Sequence, residues 1–398
     1  NLRHLRAKSE VDTIYMAGLQ ADDRTVGRFG SAGREEIRNT AIDNHLQLRV
    51  GHGSVEHTLL LGIDKQWMKN ALQSSFGAFP DLDVFTPVYS GVLPALTPDT
   101  DSRQRLEQTG AYVQDQIKIN RRWVATLGGR KDWTEQSTTD LLGGGVVTGQ
   151  KDHAFTWRSG LVYLADNGWA PYASYAESFT PVLGTMAPGR GGQPFDPETG
   201  RQYELGLRYQ PEGQATSVTV SACELRRQNV TTTDPLYANF SIQRGEVRSR
   251  GIEAEFKSQL TPRLSVLASA ATTLLKITKS NDGVEGKVPS AVPKHTASVW
   301  IDYRLPVPAG LSVSAGVRYL GTSWGEETNE YKVPAYTLAD VALRYDLSGL
   351  GPATDGWLLA LNVSNLFDKT YVASCGYYAD GCKYGYRRNA VATLSYRW

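Results

Sequence analysis

Six histidines, three cysteines and 41 acidic side chains are the groups with which this 398-residue chain could do chemistry, and their spacing gathers almost none of them. The histidines are His4, His45, His52, His57, His153 and His295. Only His52 and His57 lie close together, on either side of a short turn, and no third ligand or orienting partner that would complete a metal site is evident. Gly143 to Gly145 precedes no helix, so it offers no phosphate cradle. Carboxylates and arginines are scattered along extended segments, as on a solvated polar wall. No catalytic constellation, resident metal or cofactor is expected. Cys375 and Cys382 are near enough to close a small loop by a disulfide outside a reducing cytosol. Cys223 is left over.

The elements that would position these groups follow from composition and period. Net charge is +1, which gives no basic field for a nucleic acid. Mean hydropathy is −0.36, and no run approaches the roughly 18 to 20 apolar residues of a membrane-spanning helix. Yet 20 Tyr, 9 Trp and 39 Gly suit a barrel with aromatic girdles, many turns and a polar lumen. The membrane signal lies in period two. Tyr203, Leu205, Leu207 and Tyr209 share one face, with Glu204, Gly206 and Arg208 on the other. Leu311, Val313, Ala315, Val317 and Tyr319 oppose Ser312, Ser314, Gly316 and Arg318, and Ala390, Ala392, Leu394, Tyr396 and Trp398 oppose Thr393, Ser395 and Arg397. Counted this way there are about 16 strands of about 9 to 13 residues and no convincing amphipathic helix. Strand-end tyrosines such as Tyr163, Tyr303 and Tyr345 suit the lipid headgroup level.

The connections alternate long and short. The long ones fall at 19–40, 69–104, 135–152, 180–200, 229–245, 276–294, 321–335 and 366–387. The short ones fall at 51–56, 120–122, 166–169, 211–215, 259–263, 306–310 and 348–355. Long external loops with short periplasmic turns mark an outer-membrane barrel, whereas a soluble sandwich has no reason for that asymmetry. The expected fold is therefore all-β, a transmembrane antiparallel β-barrel. Odd strands should run outward, leaving Trp398 at the periplasmic rim.

Five stretches in order resemble hallmarks of the TonB-dependent receptors. They are Phe155-Thr-Trp-Arg-Ser-Gly-Leu-Val-Tyr163, Pro171-Tyr-Ala-Ser-Tyr-Ala-Glu-Ser-Phe-Thr-Pro181, Pro197-Glu-Thr-Gly-Arg-Gln-Tyr-Glu-Leu-Gly206, Arg250-Gly-Ile-Glu-Ala-Glu255 and Leu361-Asn-Val-Ser-Asn-Leu-Phe-Asp-Lys-Thr-Tyr371. Within that family the chain is similar to ferric hydroxamate receptors of the ferrichrome type, through Gln108-Thr-Gly-Ala-Tyr-Val-Gln-Asp-Gln116, Val292-Pro-Lys-His-Thr-Ala-Ser-Val-Trp300 and the last loop with Cys375 and Cys382. The resemblance implies a bacterial outer-membrane receptor whose full barrel has 22 strands. Residues 1–398 would then be its C-terminal part, without the plug domain. Asn1-Leu2-Arg3, with no signal peptide, reads as the middle of a longer protein.

The same resemblance implies import of a ferric siderophore, most simply a hydroxamate, energised by TonB through an N-terminal segment, by a monomer embedded in outer-membrane lipid. A haem or cobalamin receptor of the same fold and a passive 16-stranded porin are the alternatives. Because a siderophore supplies its own oxygen donors to Fe³⁺, such a receptor grips the organic shell, a task suited to rigid aromatic side chains. Carried over by position, the candidate contacts are Tyr15, Phe76, Tyr377, Tyr384 and Tyr386, and Tyr15 and Phe76 are expected to converge with one or more of the three tyrosines on one external vestibule. Ala17 departs from the pattern, which has a second tyrosine there.

Overall fold

The computed structural model describes residues 1–89, 95–234, 236, 241–281, 283–307, 310–375 and 382–398. Alternating faces and tight turns produce a single antiparallel sheet of sixteen strands, each paired with its neighbours along the chain. Its first half comprises β1 (Leu2–Leu19), β2 (Thr25–His52), β3 (Val55–Asp83), β4 (Thr97–Ile119), β5 (Trp123–Asp140), β6 (Val146–Tyr163), β7 (Trp169–Thr180) and β8 (Glu198–Tyr209). Next come β9 (Thr216–Thr233), β10 (Ser241–Thr261), β11 (Leu264–Lys279), β12 (His295–Arg304) and β13 (Leu311–Leu320). A small hairpin of β14 (Ser323–Trp324) and β15 (Lys332–Val333) precedes β16 (Tyr336–Asp346) and β17 (Trp357–Ser364). A second, β18 (Val372–Cys375) with β19 (Cys382–Tyr384), precedes β20 (Asn389–Tyr396). Among the described residues no helix is long and apolar enough to cross a membrane, which says nothing of strands.

Cross-strand register separates two faces. On β2 the exposed Leu46, Leu48 and Val50 lie opposite Leu61, Leu59 and His57 of β3, and Leu61 in turn lies opposite Val113 of β4. The intervening positions pair Asp43 with Asp64, His45 with Gly62 and Arg49 with Thr58. Apolar side chains thus point outward to lipid and polar ones inward to the lumen, the reverse of a soluble core. His57 Nδ1 donates to the Asp115 carboxylate at 2.7 Å. The turn between β2 and β3 is two residues long, and Gly53 adopts φ 62, a conformation that favours glycine in such hairpins.

Aromatic pairs mark the periplasmic boundary. Trp123 lies over Tyr163 at 4.7 Å, Trp169 over Tyr209 at 4.6 Å and Trp357 over Tyr396 at 5.0 Å, each pair directly opposed in register beside a short turn. Six residues further along these strands, Trp157, Tyr175 and Tyr203 form another row at 4.5 and 4.9 Å. Six residues of strand span roughly 20 Å, close to the apolar band of about 25 Å in outer-membrane barrels.

The first strands are far longer than expected. β2 has 28 residues and β3 has 29, so the expected connection at 19–40 shrinks to 20–24, that at 69–104 to 84–96 and that at 135–152 to 141–145. Above the membrane both faces meet water, so residues such as Gly33, Arg34 and Glu35 keep the ladder while the apolar alternation disappears. The short turns fall where expected. β1 and β20 end the strand order, and among the described residues no ladder joins them, so both present open edges.

Candidate functional site

Tyr15 lies directly opposite Phe29 in the β1–β2 ladder, and their rings stack at 5.2 Å. Phe29 in turn reaches Phe76 of β3 at 6.1 Å. Because no register shift intervenes between Phe29 and Asp43, both odd-numbered positions of β2 share the lumen face. The three rings therefore form a wall on the inner side of the strands, near their external ends. Tyr15 and Phe76 remain substantially exposed, at 47% and 40%, so their surfaces are open to a ligand. Phe29 carried no signal of its own in the sequence. It stands among Gly, Ser and Arg residues, and only the ladder shows that it joins Tyr15 to Phe76.

Below this wall the lumen face carries a charged network. Arg130 of β5 binds Asp64 of β3 at 2.5 and 3.0 Å and Asp132 at 2.7 and 2.9 Å. Gln108 donates to Asp132 at 2.9 Å, and the Tyr112 hydroxyl donates to Asp43 at 3.0 Å. Asp132 is buried, 3% exposed. A Cβ at Gly62 would lie 2.2 Å from the Tyr112 ring, and one at Gly110 would lie 1.9 Å from the Arg130 guanidinium, so these two glycines provide the room that the network occupies. Bidentate pairing of this kind is strong and geometrically specific.

The last external connection is a separate structure at the other edge of the sheet. Cys375 and Cys382 are bridged, with their Cα atoms 3.8 Å apart, and Cys223 is free. Tyr384 and Tyr386 are exposed, and among the described residues neither makes a ring contact with Tyr15, Phe29 or Phe76. Tyr377 lies outside the described residues. Asn365 ties the connection together, donating to the Lys369 and Tyr386 carbonyls at 2.8 and 3.1 Å. The Arg387 guanidinium, with the Arg388 backbone N–H, holds the Asp368 carboxyl well below the usual carboxylate range. A depressed folded value means that the stabilisation is complete above the unfolded value of about 3.9 and is lost as pH falls through the folded one. Amide protection at Lys369 and Arg388 should thus be equal at pH 8 and pH 5 and fall only in strong acid. Loss already at pH 6 would show that this anchor does not hold the connection.

Residues 6–366 match the family model described as TonB dependent receptor-like, beta-barrel. The chain belongs to this family. It is 39% identical over 426 residues to the ferrichrome outer membrane transporter/phage receptor of Escherichia coli, covering 100% of this chain and 56% of that protein. It is 34% identical to the ferrioxamine B receptor of Salmonella typhimurium, covering 99% and 55%. The chain thus spans about half the length of these curated relatives. Among solved structures, the siderophore receptor PiuA of Acinetobacter baumannii superposes with a TM-score of 0.82 at 20% identity, over 99% of this chain and 61% of that one. As a TonB-dependent receptor barrel the chain is a bacterial outer-membrane protein, and its family is one of receptors and transporters.

Proposed function

We propose that this chain forms most of the barrel wall of a receptor that imports a ferric hydroxamate siderophore with energy from TonB. The observation that carries the reading is the Tyr15, Phe29 and Phe76 wall on the lumen face near the external ends of β1 to β3. It offers rigid aromatic area with a single phenol as its polar group, which suits a chelate whose iron is already saturated by its own oxygens. Relatives named for ferrichrome and ferrioxamine B support the hydroxamate class over haem or cobalamin. Tyr384 and Tyr386 are assigned to the same vestibule through the last connection, and TonB would act through an N-terminal plug upstream of the barrel wall. The two open edges argue against a self-contained 16-stranded porin, because among the described residues no ladder closes the wall between β1 and β20. Arg6, Arg38, Lys69 and Arg105 stand opposite one another across four strands on the outward face, and Glu36 accepts from both Arg6 and Arg38 at 2.9 and 2.7 Å. The row still carries more positive than negative charge, and anionic lipid headgroups around the barrel would balance the surplus at Lys69 and Arg105.

The test is direct binding to the full-length receptor. Quenching of tryptophan fluorescence by a ferric trihydroxamate at submicromolar concentration, with no response to haem or cobalamin, is the expected result. Saturable haem binding without hydroxamate binding would replace this reading with another.

A further inference from the structure

Next to the aromatic wall the ladder opens a recess. Met16 pairs with Arg28 and Gly18 with Gly27, so Ala17 is the extra residue of a β-bulge, and Gly18 sits at φ 110. A Cβ built on Gly27 would lie 3.6 Å from the Ala17 Cβ, so Ala17 and Gly27 turn to the same side. That side is the face of Phe29, two residues along β2. Two residues without bulk therefore leave a notch beside the Tyr15 and Phe29 rings.

A carboxylate rims this notch. Asp81 Oδ1 lies 3.9 Å from the same Gly27 Cβ position, while Oδ2 accepts from Gln20 Nε2 at 2.7 Å. The cations nearby are engaged elsewhere. Arg24 pairs with Asp83 at 2.5 Å, and Arg28 lies over Phe79 at 4.7 Å while donating to the Pro80 carbonyl at 2.7 Å. Among the described residues Asp81 has no ion-pair partner, and Asp81 is exposed. An anionic oxygen beside open aromatic faces is the arrangement that attracts an organic ammonium group, by charge and by cation–π contact.

We propose that the Ala17, Gly27 and Asp81 recess receives the protonated amine end of a ferric hydroxamate, while Tyr15, Phe29 and Phe76 hold its chelate shell. The recess thereby selects amine-bearing hydroxamates over neutral ones, and this rests on the hydroxamate reading above. Two probes separate the claims: a linear ferric trihydroxamate with a free primary amine, and the same compound N-acetylated.

The full-length wild-type receptor should bind the amine form roughly two- to fivefold more tightly, the range of an exposed ion pair. Asp81→Asn should remove that preference and leave the affinity for the acetylated form unchanged. Ala17→Tyr, which fills the notch without altering charge, should also abolish the preference. A wild-type receptor that binds both probes equally, a preference that survives both substitutions, or an equal loss for both probes in Asp81→Asn would overturn the recess and leave the hydroxamate reading standing. Binding of neither probe by wild type would overturn both.

Discussion

Replacing Tyr15, Phe29 and Phe76 together by alanine should lower the affinity of the full-length receptor for a ferric trihydroxamate by about 100-fold, with barrel assembly intact. Truncating a well-placed aromatic contact commonly costs about 1 to 2 kcal/mol, and three coupled contacts should lose about 3 kcal/mol or more in total. The rings touch one another, so the single losses will not add. Phe29→Ala alone should weaken binding beyond its own contact, because it is the ring against which Tyr15 stacks at 5.2 Å and to which Phe76 leans at 6.1 Å. Assembly should survive because the ladders that hold these strands are backbone bonds. Titration of the triple variant beside Phe29→Ala checks this, and unchanged affinity in the triple variant would remove the wall from the binding site.

Arg130→Ala should produce the largest loss of stability. Its guanidinium neutralises Asp64 and the buried Asp132 at once, with five hydrogen bonds between 2.5 and 3.0 Å. Removing one partner of such a set leaves buried charge uncompensated, at about 3 to 5 kcal/mol. Thermal unfolding of the detergent-solubilised barrel would read the effect. Arg130→Met combined with Asp132→Leu should recover the part of the loss that comes from the buried Asp132, which is then gone, while the more exposed Asp64 stays unpaired. If the double variant is no more stable than Arg130→Ala, the network acts through geometry rather than charge balance.

The membrane-embedded part of the fold was legible because one chemical contrast governs it. Leu46, Leu48 and Val50 meet lipid while His45, Gln47 and Arg49 meet water, and the alternation is printed directly in the residues. The cysteine pair was legible from spacing together with an oxidising compartment. What lay beyond reach was the part of the wall that stands in water on both sides. From Gly27 to Glu36 no solvent contrast distinguishes the faces, so the ladder continues without a sequence signature. Phe29 belongs to that stretch, and the Ala17 bulge lies on β1, the strand paired with it. Their partnership depends on a register shift between Met16 and Gly18, a single-residue event that no periodicity reveals. The Arg130 network was hidden for a related reason. Its members come from four strands, and only sheet order brings Asp43, Asp64, Tyr112 and Arg130 to one level.

The unequal strand lengths have a consequence for how molecules reach the receptor. β2 and β3 run for 28 and 29 residues, against 10 each for β12 and β13. At about 3.3 Å per residue the taller side rises by roughly 60 Å more along the strand direction. The mouth is therefore slanted like the opening of a scoop, with Tyr15, Phe29 and Phe76 on its tall back. A small chelate diffusing in from the low side would strike that back before it entered the lumen. An antibody fragment, by contrast, could cover the upper segments of β2 and β3 without ever coming near the bilayer surface, and would shut the scoop from outside.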